Sequence, residues 1–266
     1  MDISQQAVGD VLRGWRQRRR LSQLDLALEA GVSPRHVSFL ETGRSRASRE
    51  MLGRLADSME IPLRERNALF VAGGFTPMFR ERSFHDPDLE QIRRALDLIL
   101  EGHAPNPALV VNRHWNLVTA NPAVDLLLGL VEDRSLLEPP VNVMRACLAP
   151  GGLAPRLMNL RDLRHHFLHR LRHEYAVSGD SVLGALIDEM QSLPAPKGGA
   201  MAKDDFGGVA VRMVIRTDVG VLSFISTTTV FGTATDVTVD ELTIESFFPM
   251  DQATAVAMEQ LVIGLG

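Results

Sequence analysis

The chain has 266 residues, 45% of them hydrophobic and 23% charged, which excludes a disordered chain and fits two domains of ordinary size. No apolar run approaches the roughly 18 residues that span a bilayer, and the single cysteine, Cys147, excludes an intramolecular disulfide framework or a cysteine-based zinc ribbon. The net charge of −5 is unevenly divided: residues 1–82 hold 14 arginines against 10 acidic side chains, and the remainder 14 basic against 23 acidic. A basic head on an acidic body predicts a polyanion partner for the head, against the plainer reading of a solvated charged helix. The opening Met1-Asp2-Ile3-Ser4 has neither a basic n-region nor an apolar h-region, so no export and a reducing cytoplasm are expected.

Short helices come first. Val8, Leu12 and Trp15 recur at helical spacing in a helix ending near Arg19. Ser22, with Asp25 three places on, approximates a capping box for a second helix whose inner face is expected from Leu24, Ala27 and Leu28 and which stops at Gly31. Ser33-Pro34 restarts the chain with serine at N-cap and proline at N1, and this third helix buries Val37 and Leu40. Ser48 caps a fourth helix carrying Leu52, Leu55 and Ala56; Pro62 opens a fifth, and Gly73-Gly74 ends the set.

Residues 75–87 read as a linker, followed by a helix over 88–101 with Ile92, Leu96, Ile99 and Leu100 as its apolar side. The period then changes: residues 108–111 and 116–119 predict two strands around a turn at 112–114. Helical patterning returns from 123 to 193, and residues 194–208, rich in Pro, Gly and Ala, read as a mobile loop. Strands are predicted at 209–216, 221–231 and 242–248, and Asp251 caps a last helix.

Gln23 to Leu40 has the spacing of a helix-turn-helix: a small Ala27 where two helices cross, Gly31 at the sharp turn, and Val37 and Leu40 pinning the second helix. Through Leu21-Ser22-Gln23, Leu26-Ala27, Gly31-Val32-Ser33 and Leu40-Glu41-Thr42-Gly43-Arg44, the head resembles the XRE (Cro/repressor-like) DNA-binding domains. The third helix would then lie in the major groove of a double-stranded DNA operator, with Ser33 at its start and Arg35, His36 and Ser38 toward the bases. Arg35 is the candidate for a guanine contact, and His36 is either a reader or a phosphate contact. Gln23 matches the family's backbone-clamping position, and Thr42, Arg44 and Arg46 are expected at phosphates. Residues 18–20 either join them or form a solvated helix end; Phe39 faces either DNA or the core, and the core is expected. The expected partner architecture is a homodimer on a roughly palindromic operator with two half-sites.

Residues about 83–252 resemble the ligand-binding domain of the MmyB-like transcription regulators. The resemblance is carried by Pro107-Ala108-Leu109-Val110-Val111, His114-Trp115-Asn116-Leu117, Pro139-Pro140-Val141-Asn142-Val143, residues 227–233 and Ile244-Glu245-Ser246-Phe247-Phe248-Pro249, with Ala234 departing from an expected proline. The expected architecture is multidomain: an all-α five-helix helix-turn-helix domain over 1–82, a linker and connecting helix over 83–106, and an α+β PAS-like domain over 107–266. The resemblance implies a small apolar or amphiphilic effector, fatty-acid-like in the first instance, no cofactor and no membrane. Leu109, Val111, Trp115, Met144, Phe167, Leu171, Val214, Phe224 and Phe231 would line an apolar slot or simply form core. Asn142, Arg145, His166 and Thr228 are the candidate anchors for a polar head group.

Three rival readings stand beside this one. His165, His169 and His173 share a helix face, with His166 and Glu174 beside them, in a spacing suited to a transition metal or haem-responsive regulator. Arg164, Arg170 and Arg172 oppose a dication there. Ser223, Ser226 and Thr227–Thr229 offer nucleophile types, but without a Gly-x-Ser-x-Gly elbow, P-loop or His-Glu-x-x-His an enzyme is not expected. In the third, the second domain binds a protein partner rather than a small molecule.

Overall fold

The structure, a computed structural model, describes residues 8–194, 211–232 and 234–263. The mobile loop expected over 194–208 lies almost wholly outside the described residues. The chain divides into two compact units: the first comprises Met1–Arg82, Ala176–Gly179 and Thr233–Asp240, and the second Ser83–Tyr175, Asp180–Gly232 and Glu241–Gly266. No helix among the described residues is long and apolar enough to cross a membrane.

The first unit contains α1 (Val8–Arg18), α2 (Gln23–Glu29), α3 (Pro34–Glu41), α4 (Arg49–Ser58) and α5 (Leu63–Ala72). Three serines set helix starts by accepting backbone N–H bonds: Ser22 from Asp25, Ser33 from His36 and Ser48 from Met51. At α2 the box is complete, because Asp25 Oδ2 accepts the Ser22 N–H at 2.9 Å. That start fixes the helix phase differently from expectation. Leu26, Ala27 and Ala30 are buried, whereas Leu24 is 54% and Leu28 72% exposed. The core also takes Leu12, Trp15, Val37, Leu40, Leu52, Leu55, Leu69 and Phe70. Gly31 adopts φ +64°, the left-handed turn between α2 and α3, and Val32 N–H closes it on Ala27 O at 2.8 Å. Gly9 lets α1 approach α3: a Cβ there would stand 2.7 Å from the carbonyl oxygens of Leu40 and Glu41.

This unit also receives the crossover between two later strands. Its short helix α11 (Val237–Asp240) packs on α5. Val237 N–H donates to Arg80 O at 2.8 Å and Thr238 Oγ1 to Arg82 O at 2.5 Å. Asp236 caps α11 through Thr238 N–H, and Arg82 Nη1 stands 3.6 Å from its other oxygen.

The second unit is built on a five-stranded antiparallel sheet. Its strands are β1 (Ala108–Val111), β2 (Leu117–Ala120), β3 (Val211–Thr217), β4 (Gly220–Val230) and β5 (Thr243–Pro249), in the order β2-β1-β5-β4-β3. β1 shows no polar alternation because both its faces are covered. Leu109 and Val111 enter one apolar cluster, and Ala108 and Val110 the other. The larger cluster lies on the face bearing Leu222 and Phe224 of β4 and includes residues of α7 (Ala123–Leu128), α8 (Val143–Leu148), α9 (Leu160–Ser178), α10 (Ser181–Ser192) and α12 (Gln252–Ile263). The smaller cluster takes Leu96 and Leu100 of α6 (Glu90–Gly102) with Leu242 and Ile244. Ile99, expected on the inner side of α6, is 45% exposed, since the helix turns only Ile92, Leu96 and Leu100 inward.

Candidate functional site

On the first unit, α3 presents an exposed Arg35 and a half-buried His36 and Ser38, and Thr42, Arg44 and Arg46 follow it in exposed positions. Ser33 is engaged as the N-cap of α3. Phe39 is not core as expected. It is half-buried, and the Arg35 guanidinium lies 5.1 Å from its ring centroid. A cation over an aromatic face loses rotamer freedom, so Phe39 holds Arg35 toward solvent at the N-terminal half of α3. Thr42 Oγ1 donates to Ser38 O at 2.8 Å, which ties the C-terminus of the helix.

A buried ion pair missed by sequence reasoning fixes the angle of this helix. Arg16 of α1 donates from Nε to Glu41 Oε1 at 2.6 Å and from Nη2 to Oε2 at 2.9 Å, and its Nη1 reaches Leu21 O. Gln23 Nε2 also donates to Glu41 Oε2, at 2.9 Å. Burial pushes the Glu41 carboxyl up, but the hydrogen bonds from Arg16 and Gln23 outweigh it and hold the group below the ordinary carboxylate range. Gln23 therefore starts α2 with its amide nitrogen turned to the end of α3. The visible signal was Glu41 closing an otherwise apolar helix face beside Leu40.

On the second unit the structure brings Val111, Trp115, Met144, Leu171 and Phe224 into one apolar cluster, with Leu109 among them and Phe167 packed against it. Val214 and Phe231 depart from the expected lining. Val214 alternates away from Met213 and Ile215, and Phe231 packs in the smaller cluster on the other face of the sheet. Trp115 sits in the turn between β1 and β2 with φ +63°. Asn112 Oδ1 shapes that turn by accepting the N–H groups of His114 and Asn116.

Beside this apolar face lies a group of charges. Arg170 of α9 donates to Glu245 of β5 and, at 2.9 Å, to Thr228 Oγ1 of β4; its Nε donates to Glu174 Oε1 at 3.1 Å. The same guanidinium lies 4.3 Å from the Trp115 ring centroid, and the indole Nε1 donates to Glu174 Oε2 at 2.8 Å. Thr228 Oγ1 donates in turn to Glu245 at 3.0 Å. Burial pushes the Glu245 carboxyl above its ordinary range, with Glu174 adding to the rise and Arg170 and Thr228 opposing it. One cation thus stands between two carboxylates at the margin of an apolar core. A lone acid at an inward position of β5, and Arg170–Glu174 at i,i+4, were the available signals.

The other expected anchors have separate roles. Asn142 caps α8 by accepting Arg145 N–H, and its Nδ2 donates to His114 O and Asn116 Oδ1, so its amide clips the turn carrying Trp115. Arg145 is at the surface in a bidentate pair with Glu189 at 2.7 Å. His166 is half-buried, its ring 5.9 Å from that of Phe167. His165, His169 and His173 are exposed, and among the described residues no group of three or more His, Cys, Asp or Glu is placed to hold a metal ion.

Two protein families match the chain. The MmyB-like transcription regulator ligand binding domain matches residues 92–261, and a helix-turn-helix family matches residues 12–66. No curated protein matches the chain.

Proposed function

The chain belongs to the MmyB-like transcription regulators, and on that premise we propose that this DNA-binding regulator answers to an amphiphile with an apolar tail and an acidic head, a fatty acid being the simplest. Arg170 carries this reading. It is a cation set at the edge of the cluster that includes Val111, Trp115 and Phe224, over the Trp115 ring and bonded to the hydroxyl of the exposed residue Thr228. An ion group in such a place contributes little net stability, whereas an arginine beside apolar surface matches a carboxylate joined to a hydrocarbon. The strand order supports reading the second unit as a PAS-like sensor.

The DNA reading assigns base contacts to Arg35, with His36 and Ser38 beside it, and phosphate contacts to Thr42, Arg44 and Arg46. A two-half-site operator bound by a homodimer in the cytoplasm completes the proposal. Neither unit is read as catalytic, since Thr228 in the run of strand hydroxyls is engaged by Glu245 and Arg170.

A thermal-shift panel of fatty acids of increasing chain length tests the ligand reading. A ligand at about 100 times its Kd adds ~2.7 kcal/mol to the stability of the state that binds it, and Val111→Phe is expected to abolish that shift while preserving DNA binding. Flat responses across the panel, with lipid-free protein by mass spectrometry, would sink the fatty-acid reading and promote a protein partner.

A further inference from the structure

Helix α6 has two apolar sides. Leu96 and Leu100 are buried in the smaller cluster, whereas Leu98 is 71% and Ile99 45% exposed. Exposed Ala95 and Gly102 continue the second side, and the spacing i, i+3, i+4, i+7 gathers all four residues into one stripe. Isolated exposed leucines are ordinary. Here a leucine and an isoleucine are adjacent, with small residues at both ends of the stripe that permit close approach by another helix.

The charges beside the stripe identify what fits it. Arg94 and Glu101 are both exposed on the same flank, about two helical turns apart. Arg94 also pairs with Glu90 within α6, and the carboxylate of Glu101 has no partner among the described residues. If two α6 helices pack antiparallel about a two-fold axis, Arg94 of each lies beside Glu101 of the other. Parallel packing about a two-fold axis would instead put the two flanks on opposite sides of the seam, where Arg94 and Glu101 would not meet.

We propose that the Ala95–Leu98–Ile99–Gly102 stripe of α6 is a self-complementary docking surface for a second copy of this chain, packed antiparallel with reciprocal Arg94–Glu101 pairs. The proposal rests on the dimeric reading of the regulator above and names the surface that serves it. One short stripe covers well under the roughly 800 Å² per partner of a standard interface. Self-association is therefore weak in free solution and is strengthened when two half-sites hold the copies close together.

The test uses the full chain, with DNA recovered by the wild-type protein from random fragments, and reads stoichiometry and affinity by sedimentation. Wild type is expected to bind as a dimer. Leu98→Asp, at an exposed site, should weaken dimerisation at least tenfold without loss of helical signal. Arg94→Glu and Glu101→Arg should each weaken it severalfold, and the double variant Arg94→Glu/Glu101→Arg should restore it. A dimer indifferent to Leu98→Asp, or a double variant no better than either single one, would overturn the α6 surface and leave the dimeric reading standing. A wild-type chain that stays monomeric on that DNA would overturn both.

Discussion

Arg35 and Arg44 are both exposed arginines of the first unit, yet they stand differently. Arg35 is steadied by Phe39 on the helix itself, whereas Arg44 follows the helix in the loop. A fixed guanidinium suits bidentate recognition of guanine, while a loop cation suits phosphate. Arg35→Ala is therefore expected to cost ~1–3 kcal/mol on the preferred operator and to relax base preference there. Arg44→Ala should weaken binding to preferred and random DNA alike and flatten its salt dependence. Binding-site selection with each variant checks this, and an unchanged base preference for Arg35→Ala would remove it as the reader.

Glu245, held beside Arg170, makes the stability of the fold depend on pH. The folded pKa of Glu245 is raised above its unfolded value, so the folded state holds the proton more tightly. The resulting stabilisation is full below the unfolded value and is lost as pH rises through the folded one. Glu245→Gln keeps an acceptor for Arg170 and Thr228 but cannot ionise, so it should flatten that part of the stability profile. Arg170→Met leaves Glu245 and Glu174 without their cation and is expected to cost about 3–5 kcal/mol at neutral pH. Denaturant titrations from pH 4 to 8 distinguish these cases; a Glu245→Gln profile parallel to wild type would show that Glu245 does not titrate as described.

The helices and strands legible in the sequence are those that local chemistry decides. Serine caps at 22, 33 and 48 start helices where hydroxyls meet orphan N–H groups, and these need no tertiary partner. The strands were legible because runs such as 108–111 and 221–230 carry β-branched residues, with boundaries displaced by about a residue. The inner face of α2 was not legible: seven residues hold too little period to choose between Leu24 with Leu28 and Leu26 with Ala30. Nor was the meeting of the Arg170–Glu174 pair with Glu245, which lies 75 residues beyond Arg170 and reaches it only after the sheet and α9 pack. The match of α1 to α3 is likewise tertiary and depends on Gly9. Gly9→Ala puts a methyl against two carbonyl oxygens at 2.7 Å, forcing the helices apart at a cost of about 1–3 kcal/mol. DNA affinity should fall with it although Gly9 is buried, and wild-type stability for Gly9→Ala would contradict that packing.

The whole molecule is not a simple succession of domains. All the buried residues of the first core, from Leu12 to Phe70, lie within residues 1–82, so that fragment has the means to fold alone. It would nevertheless lose residues 234–240, which the full chain returns to this unit from between β4 and β5. Val237 is fully buried and Val239 nearly so, and the hydrogen bonds from Val237 and Thr238 to the carbonyls of Arg80 and Arg82 go with them. Burial of one valine contributes roughly 1.5–3 kcal/mol and each hydrogen bond about 0.5–1.5 kcal/mol net, offset by the entropy of ordering the segment. The isolated fragment should therefore fold with its helices in place but be less stable than the same unit in the full chain, by about 2–4 kcal/mol. Hydrogen exchange can measure this within one experiment, because the slowest amides of α4 and α5 report opening of this unit in either context. Protection lowered by about two orders of magnitude in the fragment, greatest in α5 where α11 packs, is the expected outcome. Equal protection in fragment and full chain would show that the returning segment rests on the helical unit without supporting it.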